Sequence, residues 1–164
     1  MGLQLPGELI WLLGELGYTW PEADEEKLFE MAGEWIAFSG TVQQAIVDGT
    51  AAAQQVWSAN TGADVAAFQR VWGEEDAPAA TLGTAAESST IVGAGMYAAA
   101  GIVLALKINV IIQLTLLAIQ IAQAIATAPP TFGASLLEIP ILKMITGLVL
   151  DEIINQAVEA LLNG

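Results

Sequence analysis

This sequence contains no cysteine and no histidine, and only four of its 164 residues are lysine or arginine. Without thiols there is no disulfide and no thiolate nucleophile. Without imidazole the usual activator of a serine or cysteine nucleophile is missing, and so are zinc and haem sites of the ordinary kind. Lys27, Arg70, Lys107 and Lys143 are too few and too scattered to form the basic patch that a nucleic acid requires. No nucleic-acid partner is therefore expected. Against them stand 18 acids, for a net charge of −14, a surface that anionic lipid headgroups would also repel.

What is present is apolar: 55% of the chain, enough for a sizeable core. The charge is uneven, with fourteen acids and two bases in residues 1–90 but four acids and two bases in 91–164. The opening Met-Gly-Leu-Gln-Leu-Pro has no cationic lead-in, so no Sec signal peptide is read there, and Pro6 breaks the myristoylation pattern. A short helix is predicted over Pro6–Leu16, burying Leu9, Trp11, Leu12 and Leu13 and closed by Gly17. A second is predicted to start at Tyr18-Thr19-Trp20-Pro21-Glu22. Pro21 would sit in its first turn, and Glu22, Asp24, Glu25 and Glu26 would face the positive end of its dipole.

From there Leu28, Trp35, Val42, Gly49 and Val56 recur every seven residues, with Met31, Phe38, Ala45 and Ala52 three after the first four. This is a heptad seam, the pattern of a long packed helix. It ends at Asn60-Thr61-Gly62, since asparagine and glycine tolerate the left-handed conformation that closes a helix. Thr61 is then expected to cap the next helix, with Asp64 in its first turn. Trp57 precedes this elbow; Phe68 and Trp72, four apart on one helix face, follow it and can close over Trp57. Glu74-Glu75-Asp76-Ala77-Pro78 is a poor helix interior, and a kink or short loop is expected.

Residues Ile91–Ala128 are the most apolar stretch, interrupted by one charge, Lys107. Asn109, Gln113, Gln120, Gln123 and Thr127 draw a polar stripe down one helix face. One long, mostly buried helix is predicted, with a membrane hairpin or pore-lining helix as the alternative. Pro129-Pro130 ends it, and a last helical segment over Leu136–Leu162 is expected to break at Ile139-Pro140.

Chemistry is sparse. Glu22/Glu26, Glu26/Glu30 and Glu30/Glu34 stand four apart, a spacing that paired-carboxylate catalysis or a di-metal site could use. The helical di-iron pattern needs Glu-x-x-His, however, and no phosphate-binding loop surrounds Gly93 and Gly95. A solvated acidic face is the reading. No catalytic, cofactor-binding or metal-ligating residue is assigned.

Trp57, Gly62, the Ala67-Phe68 pair and Trp72 resemble the signature of the Trp-x-Gly (WXG-like) helical hairpins of type VII (ESX) secretion, although four residues here separate Trp57 from Gly62. Leu5-Pro6, Gly17, Trp20-Pro21-Glu22, Asp24-Glu25 and Thr131-Phe132-Gly133-Ala134-Ser135 extend the likeness over Leu5 to about Leu150. They are similar to the N-terminal module of secreted actinobacterial toxins that join an outer-membrane channel to an NAD-cleaving domain. The resemblance implies a non-enzymatic secretion-targeting and partner-binding module that normally precedes a toxin domain. It would be exported folded, without a Sec signal, to the cell surface or medium. Its partners would be another helical-hairpin secretion protein or a second copy, and the secretion machinery. Tyr18 and Glu22 match the letters of the family's Tyr-x-x-x-Asp/Glu export motif, with a helix-start turn as the plain alternative.

The expected architecture is all-α, a long antiparallel helical hairpin extended by a second C-terminal helical pair, in one domain over 1–164. Its parts are a short helix in 1–20, the hairpin in 21–76, the long apolar helix in 79–128 and the C-terminal segment in 131–164. Elbow residues are Trp57, Asn60, Gly62, Phe68 and Trp72; seam residues are Leu28, Trp35, Phe38, Val42 and Val56. Two alternatives to the secretion reading are a membrane-inserting or channel-associated segment and a self-assembling homo-oligomer.

Overall fold

The structure, a computed structural model, describes residues 2–163. Its order is α1 (Gly7–Glu15), α2 (Glu25–Ala59), α3 (Ala63–Trp72), α4 (Pro78–Thr127), a 3-10 turn (Ala134–Leu137) and α5 (Glu138–Asn163), with no strand among the described residues. The chain is all-α and hairpin-built, as its patterning predicts. Two compact units divide it: Leu28–Tyr97, and Met1–Lys27 with Ala98–Gly164. Helices α2 and α4 each contribute a segment to both.

In the unit 28–97, α2 runs antiparallel to the first part of α4. Phe29 meets Tyr97 at 5.8 Å between ring centres, Gly93 lies against Ala32 and Ile36, and the Ser39 hydroxyl donates to the Ala86 carbonyl at 2.8 Å. The buried positions are small: Ala32, Ser39 and Ala53 with Val42 on α2, and Ala77, Ala86, Ser89 and Gly93 on the returning side. Small side chains at the contact bring helix axes close. The returning arm is in two pieces, α3 and then α4, broken at 73–77 where the acidic Pro78 segment predicts a break. Pro78 becomes the first residue of α4, a position where its missing N–H is no loss.

In the other unit the second part of α4 and α5 form a helical pair, with α1 packed against both. Leu5, Leu12 and Leu13 join Val110, Leu114 and Leu117 of α4 and Leu150 of α5 in one core. Between α4 and α5 the chain turns through Gly133, at φ 84°, whose N–H donates to Ala128 O at 2.8 Å. The Ser135 hydroxyl donates to Ala124 O at 2.7 Å and ties the turn to α4.

Several local expectations are corrected. Helix α2 begins at Glu25 rather than around Pro21. The Lys27 N–H bonds the Asp24 carboxylate at 3.2 Å, so Asp24 is the cap, while Ala23 O accepts from Lys107 instead of continuing a helix. Trp11 is 66% exposed, because Leu9, Leu12, Leu13 and Leu16 occupy the inward stripe of α1 and leave Trp11 outside it. Gly62, not Thr61, is the cap residue of α3, and no side chain bonds there. No break occurs at Ile139-Pro140: Pro140 sits in the first turn of α5, where its absent N–H has no intrahelical acceptor.

Candidate functional site

The elbow is assembled from both sides of Gly62. The Asn60 side-chain amide donates to Val56 O at 2.8 Å, satisfying a terminal carbonyl of α2, and Gly62 at φ 141° lets the chain reverse. Trp57 then stands 5.7 Å from Phe68, and Phe68 stands 5.7 Å from Trp72. Trp72 also reaches back to Gly49, its outer indole carbons 3.9 Å from where a Cβ on that glycine would lie, an ordinary packing distance. Phe68 remains 36% exposed and no residue of α3 is fully buried, so this is a clasp on the surface of the hairpin.

The helix seam is narrower than the heptad count predicts. Val42 is buried and Leu28 is half-buried, but Trp35, Phe38 and Val56 are exposed. Ala32, Ser39 and Ala53 take the inward positions instead. Trp35 and Phe38 stand edge to face at 6.3 Å and, with Met31 and Glu34, enclose an open depression of about 350 Å³. Tyr18 and Glu22 lie outside any helix, in 18–24, and share no helix face. The Tyr18 hydroxyl, a single donor, lies 2.7 Å from Asp151 Oδ1 and 2.9 Å from Gly147 O. The bond to Asp151, then burial, then the negative charge of Asp151 raise the phenol above its ordinary value.

Sequence reasoning missed the partner of Lys107. Its ammonium, in a side chain 2% exposed, lies 2.7 Å from Glu25 Oε2 and 2.6 Å from Ala23 O; the Leu3 N–H bonds the other Glu25 oxygen. Trp20 places its ring 5.7 Å from the same ammonium. Burial works against the Glu25 charge, but the bonds from Lys107 and Leu3 and the charge of Lys107 outweigh it and hold the carboxyl below its ordinary value. A signal was available: Lys107 is the one charge between Glu87 and Glu138, and a lysine on an apolar helix needs an anion.

Helix α4 also departs from expectation. It contains an 18-residue window of mean hydropathy 2.3, long and apolar enough to cross a membrane, but only 28% of that window is buried. Neighbouring helices cover one side of it, leaving Ile108, Ile112, Leu116 and Ile119 about half exposed along one stripe. Among the described residues no group of three or more acids could hold a metal ion.

A family model described as WXG100 like domain matches residues 6–148. No curated protein and no solved structure matches the chain.

Proposed function

Because this chain belongs to the WXG100-like domain family, we propose that it is a non-enzymatic type VII secretion targeting and partner-binding module, of the kind that precedes a toxin domain. Association with type VII secretion is what the family implies; targeting, partner binding and a toxin link go further. The observation that carries the reading is the uncovered apolar surface of the hairpin, where Met31, Trp35 and Phe38 are 48%, 38% and 51% exposed. Large aromatic side chains clustered on one exposed helix face mark an interaction surface. The protein is then exported to the medium or cell surface with a helical-hairpin partner or a second copy of itself.

Export is tested by expressing the chain in an actinobacterial host with an intact or a disrupted type VII machine and comparing culture filtrate with cells. Appearance in the filtrate only with the intact machine is expected. Equal export from both hosts overturns the proposal. A second reading, insertion of α4 into a bilayer, is favoured by its mean hydropathy of 2.3 and low burial. Flotation with neutral-lipid vesicles separates the two, because a detergent-free particle that stays at the bottom of the gradient removes the membrane reading.

A further inference from the structure

We propose that the α2 face carrying Met31, Trp35 and Phe38 seats an amphipathic helix of opposite charge, apolar along one side and lined with lysine or arginine at its margins. This rests on the partner-binding reading above and adds where the partner sits and what chemistry it carries. The three residues stand at i, i+4 and i+7, one stripe of the helix surface. Trp35 and Phe38 meet at 90° with ring centres 6.3 Å apart, making an open corner. Met31 and Glu34 complete the floor of the 350 Å³ depression. Aromatic walls beside an adaptable methionine suit insertion of aliphatic side chains spaced along a docking helix.

Charge selects the occupant. Glu30 and Glu34 are exposed along this stripe, and residues 28–97 hold eight acids against one base, Arg70, which lies on α3. Lys27, one turn before Met31, sits 4.0 Å from Asp24. A second copy, itself at −14, would bring acid margin against acid margin, and anionic lipid meets the same repulsion. A helix bearing basic margins gains where those fail: its apolar side fills the corner while its cations face Glu30 and Glu34.

The test uses the full chain and three fluorescent synthetic helical peptides of equal length. One has leucines at the i, i+3, i+4, i+7 spacing with lysine margins, one has glutamate margins, and one has lysine margins with serines for leucines. Only the first is expected to bind, more weakly as salt rises. Trp35→Ser or Phe38→Ser should raise its Kd about tenfold. Glu30→Gln/Glu34→Gln should weaken it several-fold and flatten the salt dependence. Val47→Ser, at an exposed α2 position away from the corner, should change nothing, and thermal melts show which variants keep the fold. Equal binding of the glutamate or serine peptide, or wild-type affinity in folded Phe38→Ser, overturns the proposal. Loss of binding in Phe38→Ser with undiminished export upholds this face as a docking site and removes the secretion role assigned to it, so the two readings fail separately.

Discussion

Lys107 Nζ and Glu25 Oε2 lie 2.7 Å apart with side chains 2% and 3% exposed, joining α4 to the first residue of α2. Removing one member leaves the other charged and out of water. Lys107→Met is therefore expected to cost roughly 3 kcal/mol, the lower end for a broken buried pair. The lower end applies because an open recess of about 250 Å³ beside Trp20, Glu22 and Asp24 admits water. The double variant Glu25→Gln/Lys107→Met should cost less than the sum of the single changes, since no unpaired charge remains. Urea unfolding of the four proteins checks it; strict additivity would show the pair to be uncoupled.

The same pair sets an acid limit. The Glu25 carboxyl titrates below its ordinary value of 4.5 in the folded protein, so the unfolded chain takes up the proton first as pH drops. Its contribution to stability is complete above that ordinary value and is lost as pH falls through the lower, folded one. Melting temperature followed downward from pH 6 should therefore decline below about 4.5. In Lys107→Met the carboxyl loses the ammonium that depresses it, so the gap between its folded and unfolded values closes and the decline below about 4.5 should be shallower than in the wild type. Coincident profiles for wild type and variant would contradict this assignment.

Much of the secondary structure was legible because its signals are local. Asn60 and Gly62 end α2, Pro129-Pro130 ends α4, and the Trp57, Phe68 and Trp72 spacing foretold an aromatic cluster that the structure brings together. Which apolar face would be filled was not legible. Trp11, Trp35 and Phe38 obey the helical period as well as Leu12 and Val42 do, yet they point outward, since periodicity marks a stripe without saying what covers it. The inward face of the hairpin is carried by Ala32, Ser39, Ala86 and Gly93, small residues that hydropathy underweights. The Lys107–Glu25 contact joins positions 82 apart in sequence, beyond the reach of any local pattern.

Close approach of α2 and α4 predicts opposite outcomes for two neighbouring glycines. A Cβ at Gly93 would lie 2.8 Å from Ile36 Cγ1 and 3.0 Å from the backbone oxygen of Ala32, and that backbone cannot step aside cheaply. Overpacking of this kind costs about 1–3 kcal/mol, more than the ~1 kcal/mol that alanine gains in helix propensity. Gly93→Ala should therefore destabilise. Gly95 has nothing within 4 Å of its would-be Cβ, so Gly95→Ala should stabilise by about 0.5–1 kcal/mol. Thermal melts of the two variants give the sign directly, and a stabilising Gly93→Ala would mean that the helices stand farther apart.

The aromatic clasp should matter less to stability than its composition implies. Truncating a fully buried tryptophan or phenylalanine costs about 3–5 kcal/mol, but Trp57 and Trp72 are only half-buried and Phe68 is 36% exposed. Part of each side chain already meets water in the folded chain, so less transfer energy is lost on truncation than for a fully buried ring. Trp57→Ala or Phe68→Ala is expected to cost about 1–2 kcal/mol, with the pair subadditive because each ring packs on the other at 5.7 Å. Denaturant curves measure the cost. A loss near 4 kcal/mol for either single change would show that the clasp is covered in solution, by a partner or a second copy, and the curves would then shift with protein concentration.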